Sequence, residues 1–393
     1  MSSGPLTGVR VLDLSRLLPG GFATLMLADL GADVVKVEEP GSGDYIRWMP
    51  PMTAGVSAGH IALNRNKRSV TLNLKEPSGR DVFLQLVSSF DILVESFRPG
   101  VLDRLGVGWD ACREANSRLI YCAITGYGQD GPLAKVAGHD INYIGYAGAL
   151  SMTGVPDGPP VIPGLQIGDL GGGGMSAVIA ILAALHKRAA TGSGDFCDVS
   201  MTDGVVSWLS IHAAAYLWAG AHADRGRAPL TGGWPCYRVY PAADGYVTVG
   251  ALEPQFWSRL CEALGRRDLA GDAFATGERR DEVVAELERI FATKRRAEWL
   301  EFFDGEDVCV GPVNDLAEAL SDDAITARGL VVEHGLPGGG STRGVATPVR
   351  LNGAQADANR LPPPKLGEHT DEVLREIGLA FEEVDALRGA GVV

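Results

Sequence analysis

VRVLDLSRLLPGGFATLMLADLGADVVKVE, residues 9–38, sets two apolar runs on either side of a longer apolar segment. VRVLDLS (9–15) reads as a strand, PGG as a tight turn, FATLMLADL (22–30) as a helix and Gly31 as its stop. DVVKVE (33–38) reads as a second strand. Strand, helix, strand in so short a span is the unit of a parallel sheet, because parallel neighbours need a crossover long enough to hold a helix.

The alternation continues outward. SVTLNLK (69–75) places apolar Val70, Leu72 and Leu74 at every second position, as a half-buried strand does. A helix near 79–89, the strand DILVES and the strand LIYCAIT (119–125) follow. After about residue 222 the texture changes: ADRGRAPLTGGW is a polar, glycine-bearing connection. YRVYPAADGYVTVGAL then reads as two strands joined by an Ala-Asp-Gly turn. Helical patterns occupy 254–265 and 281–304. From 335 to 367 Gly and Pro dominate, which predicts an extended linker to a last helix, DEVLREIG. The chain is therefore read as two-domain α/β, with a smaller domain over 225–320.

Bulk properties narrow the function. A chain of 393 residues with 46% apolar content can bury a large core. The excess of 49 acidic over 35 basic residues, a net charge of −14, speaks against a nucleic-acid partner. Cys112, Cys122, Cys197, Cys236, Cys261 and Cys309 show neither CxxC nor metal-type spacing, so reduced thiols in a cytoplasmic protein without a metal are expected. MSSGPLTGVR lacks the apolar core of a signal peptide. GVVSWLSIHAAAYLWAGA (204–221) has no formal charge but includes His212 and serines. A helix in the core or at a subunit contact is expected there, not a membrane span.

Five places could carry chemistry. The strand–turn–helix ending in Glu38 and Glu39 imitates a dinucleotide fold, but LLPGGFAT lacks G-x-G-x-x-G, so NAD is not expected. NRNKRSVTLNLK (64–75) clusters Arg65, Lys67, Arg68 and Lys75, either a phosphate site or a solvated basic edge. GHDINY (138–143) sets His139 beside Asp140, and Asp140 could simply cap the helix INYIGYAG. GDLGGGG (168–174) puts Asp169 before four glycines and an apolar helix, MSAVIAILAALHKRA. Glycines admit a ligand or another backbone, and a helix start offers free N–H groups. GALEPQFW places Glu253 where a strand meets a helix.

Taken together these stretches resemble the family III CoA-transferase superfamily, and within it the α-methylacyl-CoA racemases. GPLTGVRVLDL, LADLGADVVKVE, NKRSVTLNLK, RLIYCAITGYGQDGP, AGHDINY, GDLGGGG, ADGYVTVGALEPQFW and GEHTDEVL carry the likeness, with GHDINY and ALEPQFW closest to the racemase branch. The resemblance implies an interlocked homodimer. It implies a Rossmann-like large domain (1–205) that the extended segment and C-terminal helix (335–393) rejoin, plus a small α+β domain (225–320). It implies an acyl-CoA thioester as substrate, with CoA a part of that substrate and no separate cofactor. The adenosine would lie on the backbone of Leu72, Asn73, Leu74 and Lys75, with Arg68 and Arg98 at the phosphates. The thioester would reach Gly138, Asp140, Ile141, Asn142 and Tyr143. His139 and Asp169 map onto the two catalytic groups, and Glu253 onto a glutamate reaching the histidine from the partner chain. Glu39 stands where those racemases carry an arginine against the adenine, so that contact is not carried over.

Such an enzyme moves a proton from one face of the α-carbon to the other through an enolate. His139 would take it and a protonated Asp169 would give one back, the roles reversing for the other epimer. An ordinary carboxyl, with a pKa near 3.9, must be raised by its surroundings to hold that proton. The glycines are expected to clear room for the thioester, and the amide of Asp169 to steady the enolate oxygen. In the transferases of the superfamily the same aspartate instead attacks the acyl-CoA as a nucleophile.

Overall fold

The structure, a computed structural model, describes residues 4–53, 55–336 and 339–393. Its contacts divide the chain into two units: Met1–Ala147 with Leu165–Ser207 and Asp323–Val393, and Gly148–Gly164 with Trp208–Asp322.

In the first unit the opening runs form β1 (Arg10–Asp13) and β2 (Asp33–Glu38), paired in parallel with Val11 opposite Val34. β3 (Lys67–Thr71), β4 (Ile92–Glu95), β5 (Ile120–Thr125) and β6 (Asp195–Ser200) complete the sheet. The order is β3-β2-β1-β4-β5-β6 with every pairing parallel. This is the doubly wound arrangement, whose order reverses between β1 and β4. Two apolar clusters fill its two faces, one around Leu12, Val70 and Phe83, the other around Val11, Ile92 and Ile181.

Several local expectations shift. Helix α1 spans Leu17–Asp29, so Pro19, Gly20 and Gly21 lie inside it and do not form a turn before it. A Cβ on Gly20 would stand 2.1 Å from the Cβ of Ser15, so only glycine lets the first helical turn fold back over the strand end. SVTLNLK is strand only as far as Thr71, and β3 is buried along most of its length, not half-buried. Helix α2 occupies Pro77–Ser88.

Helix α3 is Asp140–Tyr146. The helix after the glycines begins earlier than Met175: α4 spans Ile167–Thr191, and its Ile167–Met175 portion is wound as a π-helix. It is long and apolar enough to cross a membrane by length and composition, and half of its most apolar 18-residue stretch is buried in the protein. The buried glycines explain its position. A Cβ on Gly172 would come 2.4 Å from the Met201 carbonyl oxygen, and one on Gly204 2.3 Å from the Gly172 carbonyl oxygen. A Cβ on Gly174 would come 3.0 Å from the Pro19 carbonyl oxygen. The α4 backbone therefore lies directly on α5 (Met201–Trp208) and on the start of α1. α6 (Ser210–Ala219) follows, with Trp218 88% exposed, so this part of 204–221 is not a core helix within the chain.

The second unit holds an antiparallel sheet of β7 (Tyr237–Ala242), β8 (Gly245–Gly250) and β9 (Val310–Pro312). α7 (Pro254–Ala263), α8 (Gly277–Phe291) and α9 (Arg296–Phe302) pack on it. The single helical pattern expected over 281–304 breaks after Phe291, because Trp299 folds back there. Its indole N–H donates to the Phe291 carbonyl at 2.7 Å, and the rings meet edge to face.

The expected linker over 335–367 is not wholly extended: β10 (Val331–Gly335) pairs antiparallel with β11 (Ser341–Val345). The chain then runs to α10 (Thr370–Glu376) and a further helix, α11 (Phe381–Gly389), that the sequence reading omitted. This return covers the open edge of β3. The His369 N–H donates to the Ser69 carbonyl at 2.9 Å and the Thr71 N–H to Thr370 Oγ1 at 3.1 Å. An edge strand so occupied cannot pair with another chain.

Two alanine substitutions separate the glycine roles. Gly204→Ala forces backbones apart and is expected to lose about 2–3 kcal/mol of stability. Gly145→Ala in α3, where a Cβ meets nothing within 4 Å, is expected to gain about 0.5–1 kcal/mol. Urea denaturation of both variants checks the contrast.

Candidate active site

Where the strand order reverses, the loops leaving β1 and β4 splay apart and leave a crevice at the carboxyl ends of the strands. A cleft of about 690 Å³ lies there, lined by Arg16 and Leu17 after β1, Ser96 to Pro99 after β4, and Gly126 and Tyr127 after β5. His139, Asn142, Tyr143 and Asp169 complete its wall. Two side chains from distant stretches of sequence thus share one cavity.

His139 is the residue before the first turn of α3, in extended backbone, and its N–H donates to Asn142 Oδ1 at 3.1 Å. Asp140 is therefore the first helical residue and not the cap. Its carboxylate, 9% exposed, turns the other way and accepts the Asp169 N–H on Oδ1 at 3.0 Å. Gly168 eases this approach, since a Cβ there would stand 3.0 Å from the same Oδ1.

This geometry corrects two expectations. The amide of Asp169 is engaged by Asp140 and does not serve as a free donor to an enolate oxygen. The glycines at 172–174 do not open space for a ligand; they face α1, α5 and β5. The Asp169 carboxyl itself is pushed up to about 7, first by burial and then by the negative charge of Asp140. Tyr143 braces the loop by donating from its hydroxyl to the Gly138 carbonyl at 2.5 Å, and burial pushes that phenol up to about 12.

The basic cluster resolves into neither a phosphate site nor a solvated edge. Arg68 is 8% exposed and its guanidinium is held by Asp33, Glu372 and Glu376, so it is not available to a phosphate. Arg65 pairs with Asp29 at 2.5 Å, and Lys67 with Asp13 at 3.0 Å, both buried. Lys67 and Arg68 tie β3 to β1 and β2, and Arg65 ties the segment before β3 to the end of α1. Lys75 remains exposed and pairs at 2.7 Å with Glu39, which offsets the charge of the departing residue.

Leu72, Asn73, Leu74 and Lys75 line a narrow slot of about 80 Å³, with Arg16 on its opposite side. Arg16 also lines the larger cleft and so joins the two. Its guanidinium rests over the rings of Tyr45 and Phe97, and Arg98 stands in the same cleft. Of the thioester residues expected, Gly138, Asn142 and Tyr143 line the cleft, whereas Asp140 and Ile141 do not. Glu253 lies in the second unit, exposed, at the residue before α7.

The sequence reading missed Arg16 and Tyr127. The Tyr127 hydroxyl is buried in the cleft wall without a hydrogen-bond partner among the described residues. No motif marked either residue; a strand–turn–helix pattern locates a crevice only once the strand order is known.

Known proteins share this arrangement. The family model for CoA-transferase family III matches residues 6–370. Succinyl-CoA:glutarate CoA-transferase of Mus musculus is 37% identical over 100% of this chain and 91% of its own length. α-Methylacyl-CoA racemase of Homo sapiens is 35% identical over 99% of this chain and 97% of its own. The crystal structure of a CAIB/BAIF family protein from Brucella suis superposes with a TM-score of 0.82 at 34% identity, covering 96% of this chain and 100% of that one. Its cleft, its doubly wound sheet and its near end-to-end likeness to these proteins place the chain in CoA-transferase family III, the group of CoA-transferases and acyl-CoA racemases that act on acyl-CoA thioesters.

Proposed function

We propose that the protein is an α-methylacyl-CoA racemase, which inverts the carbon next to a thioester. One observation carries this reading: an imidazole and a carboxyl pushed up to about 7 by burial and by Asp140 line the same cleft. His139 removes the α-proton; the C–H electron pair becomes the enolate double bond, and the carbonyl pair moves onto the thioester oxygen. Asp169 then donates its proton to the opposite face of the carbon, and the reverse reaction exchanges the roles. The adenosine end lies along Leu72–Lys75, and Arg16 and Arg98 meet the phosphates. No cofactor beyond the substrate's own CoA is needed. Glu253 orients His139 from the partner in a homodimer, and the exposed apolar residues Ile211, Leu217 and Trp218 of α6 support a second copy as their cover.

A second reading follows from the transferase relatives: Asp169 attacks the thioester carbonyl, releasing CoA and forming an acyl anhydride. That role needs the ionised carboxylate, which a pKa near 7 makes scarce below neutrality.

Exchange in deuterated water decides between them. A 2-methylacyl-CoA incubated with the enzyme is expected to lose its α-hydrogen for deuterium, read by mass spectrometry. His139→Ala and Asp169→Asn should each slow exchange by about 10²–10⁴-fold. Transfer of CoA to a free dicarboxylate without exchange would overturn the racemase reading, and His139→Ala would then leave transfer intact.

The raised carboxyl also has a stability signature. Folded Asp169 holds its proton to about 7 against 3.8 in the ordinary case, so the native state loses stability as pH rises between those values. Asp169→Asn is expected to match wild type near the low end and exceed it by about 2–4 kcal/mol above pH 7.5 or so. Thermal melts across that range measure it.

A further inference from the structure

Asp140 has no place in the chemistry above, yet it is the buried charge nearest Asp169 in contact terms. Its carboxylate accepts the Asp169 N–H at 3.0 Å, and a Cβ on Gly168 would crowd the same oxygen at 3.0 Å. It follows His139 directly in sequence, so one helix start ties both reacting groups together. We propose that Asp140 is the positioning residue of the site: it locks the Asp169 backbone to the start of α3 and sets its negative charge beside the Asp169 carboxyl. The inference rests on Asp169 acting as a proton carrier and deepens that reading.

The surroundings leave Asp140 as the charge that does this. From α3 the groups facing Asp169 are Asp140 and Tyr143, and Tyr143 is a neutral phenol at physiological pH. From α1 the neighbours of the glycine helix are Pro19 and Phe22, and from α5 Met201 and Val205, all uncharged. Asp203 of α5 acts on Asp198 instead. His139, Arg16 and Arg98 line the same cleft, but among the described residues Asp140 is the one charge that acts on the Asp169 carboxyl. Burial is the larger cause of the raised carboxyl and Asp140 the second.

Three substitutions test the assignment. Asp140→Asn keeps an oxygen to accept the Asp169 N–H but removes the charge. Asp140→Glu keeps the charge, and Asp140→Ser is a second neutral variant should the asparagine form not fold. The readout is the Asp169 carboxyl titration by 13C NMR of the full-length protein without substrate, its signal assigned by its loss in Asp169→Asn. The neutral variants are expected to lower the midpoint by about 1 pH unit, and the glutamate variant to hold it near the wild-type value. The alkaline limb of the rate, where Asp169 loses the proton it must donate, should move the same way. An unchanged midpoint in a folded neutral variant, or a midpoint in Asp140→Glu as low as in Asp140→Asn, overturns the proposal. The titration needs no turnover: if wild type shows no α-exchange, the racemase reading fails while the midpoint still decides what Asp140 does.

Discussion

A helix laid backbone against backbone on its neighbours is the constraint from which the site follows. Where α4 crosses α5, the Gly172 carbonyl and the Cα of Gly204 leave no room for a side chain, and Gly174 meets the start of α1 in the same way. Interiors are packed as densely as molecular crystals, so an added methyl there cannot be absorbed by small shifts. The same winding carries Asp169 to the cleft wall and turns its amide toward Asp140.

This reverses the first explanation of the glycine run. Glycines beside an acid suggest space for a ligand, because a missing side chain reads as emptiness. In the fold the emptiness is filled by other backbone, and the π-helical winding of Ile167–Met175 accommodates the acid at its first turn. Unusual helical turns of this kind are often found at functional sites, where they redirect a side chain.

The buried cations make a parallel case. Asp13 at the end of β1 is held ionised by Lys36 and Lys67, even though burial alone opposes its charge. Arg68 joins β2 and β3 to α10 through Asp33, Glu372 and Glu376. Breaking one partner of such a set strands an uncompensated charge in the interior. A basic stretch that looks like a ligand site is thereby committed to the frame, and Arg16 and Arg98 line the cleft at the switch point instead.

Local pattern in the sequence was sufficient for β1 to β5, β7 and β8, for the alternation that implies a parallel sheet, and for His139 and Asp169 as the residues worth watching, but not for β6, β9 or the β10–β11 pair. These are short-range properties: apolar periodicity and the chemistry of single side chains survive in one dimension. Strand order, the pairing of Arg68 with three carboxylates, the engagement of the Asp169 amide and the presence of Arg16 in both clefts were decided by tertiary structure alone. Each depends on residues far apart in sequence, such as Asp140 with Asp169 and Arg68 with Glu376. A lone lysine, arginine or glycine carries no mark of which distant backbone will come to lie against it.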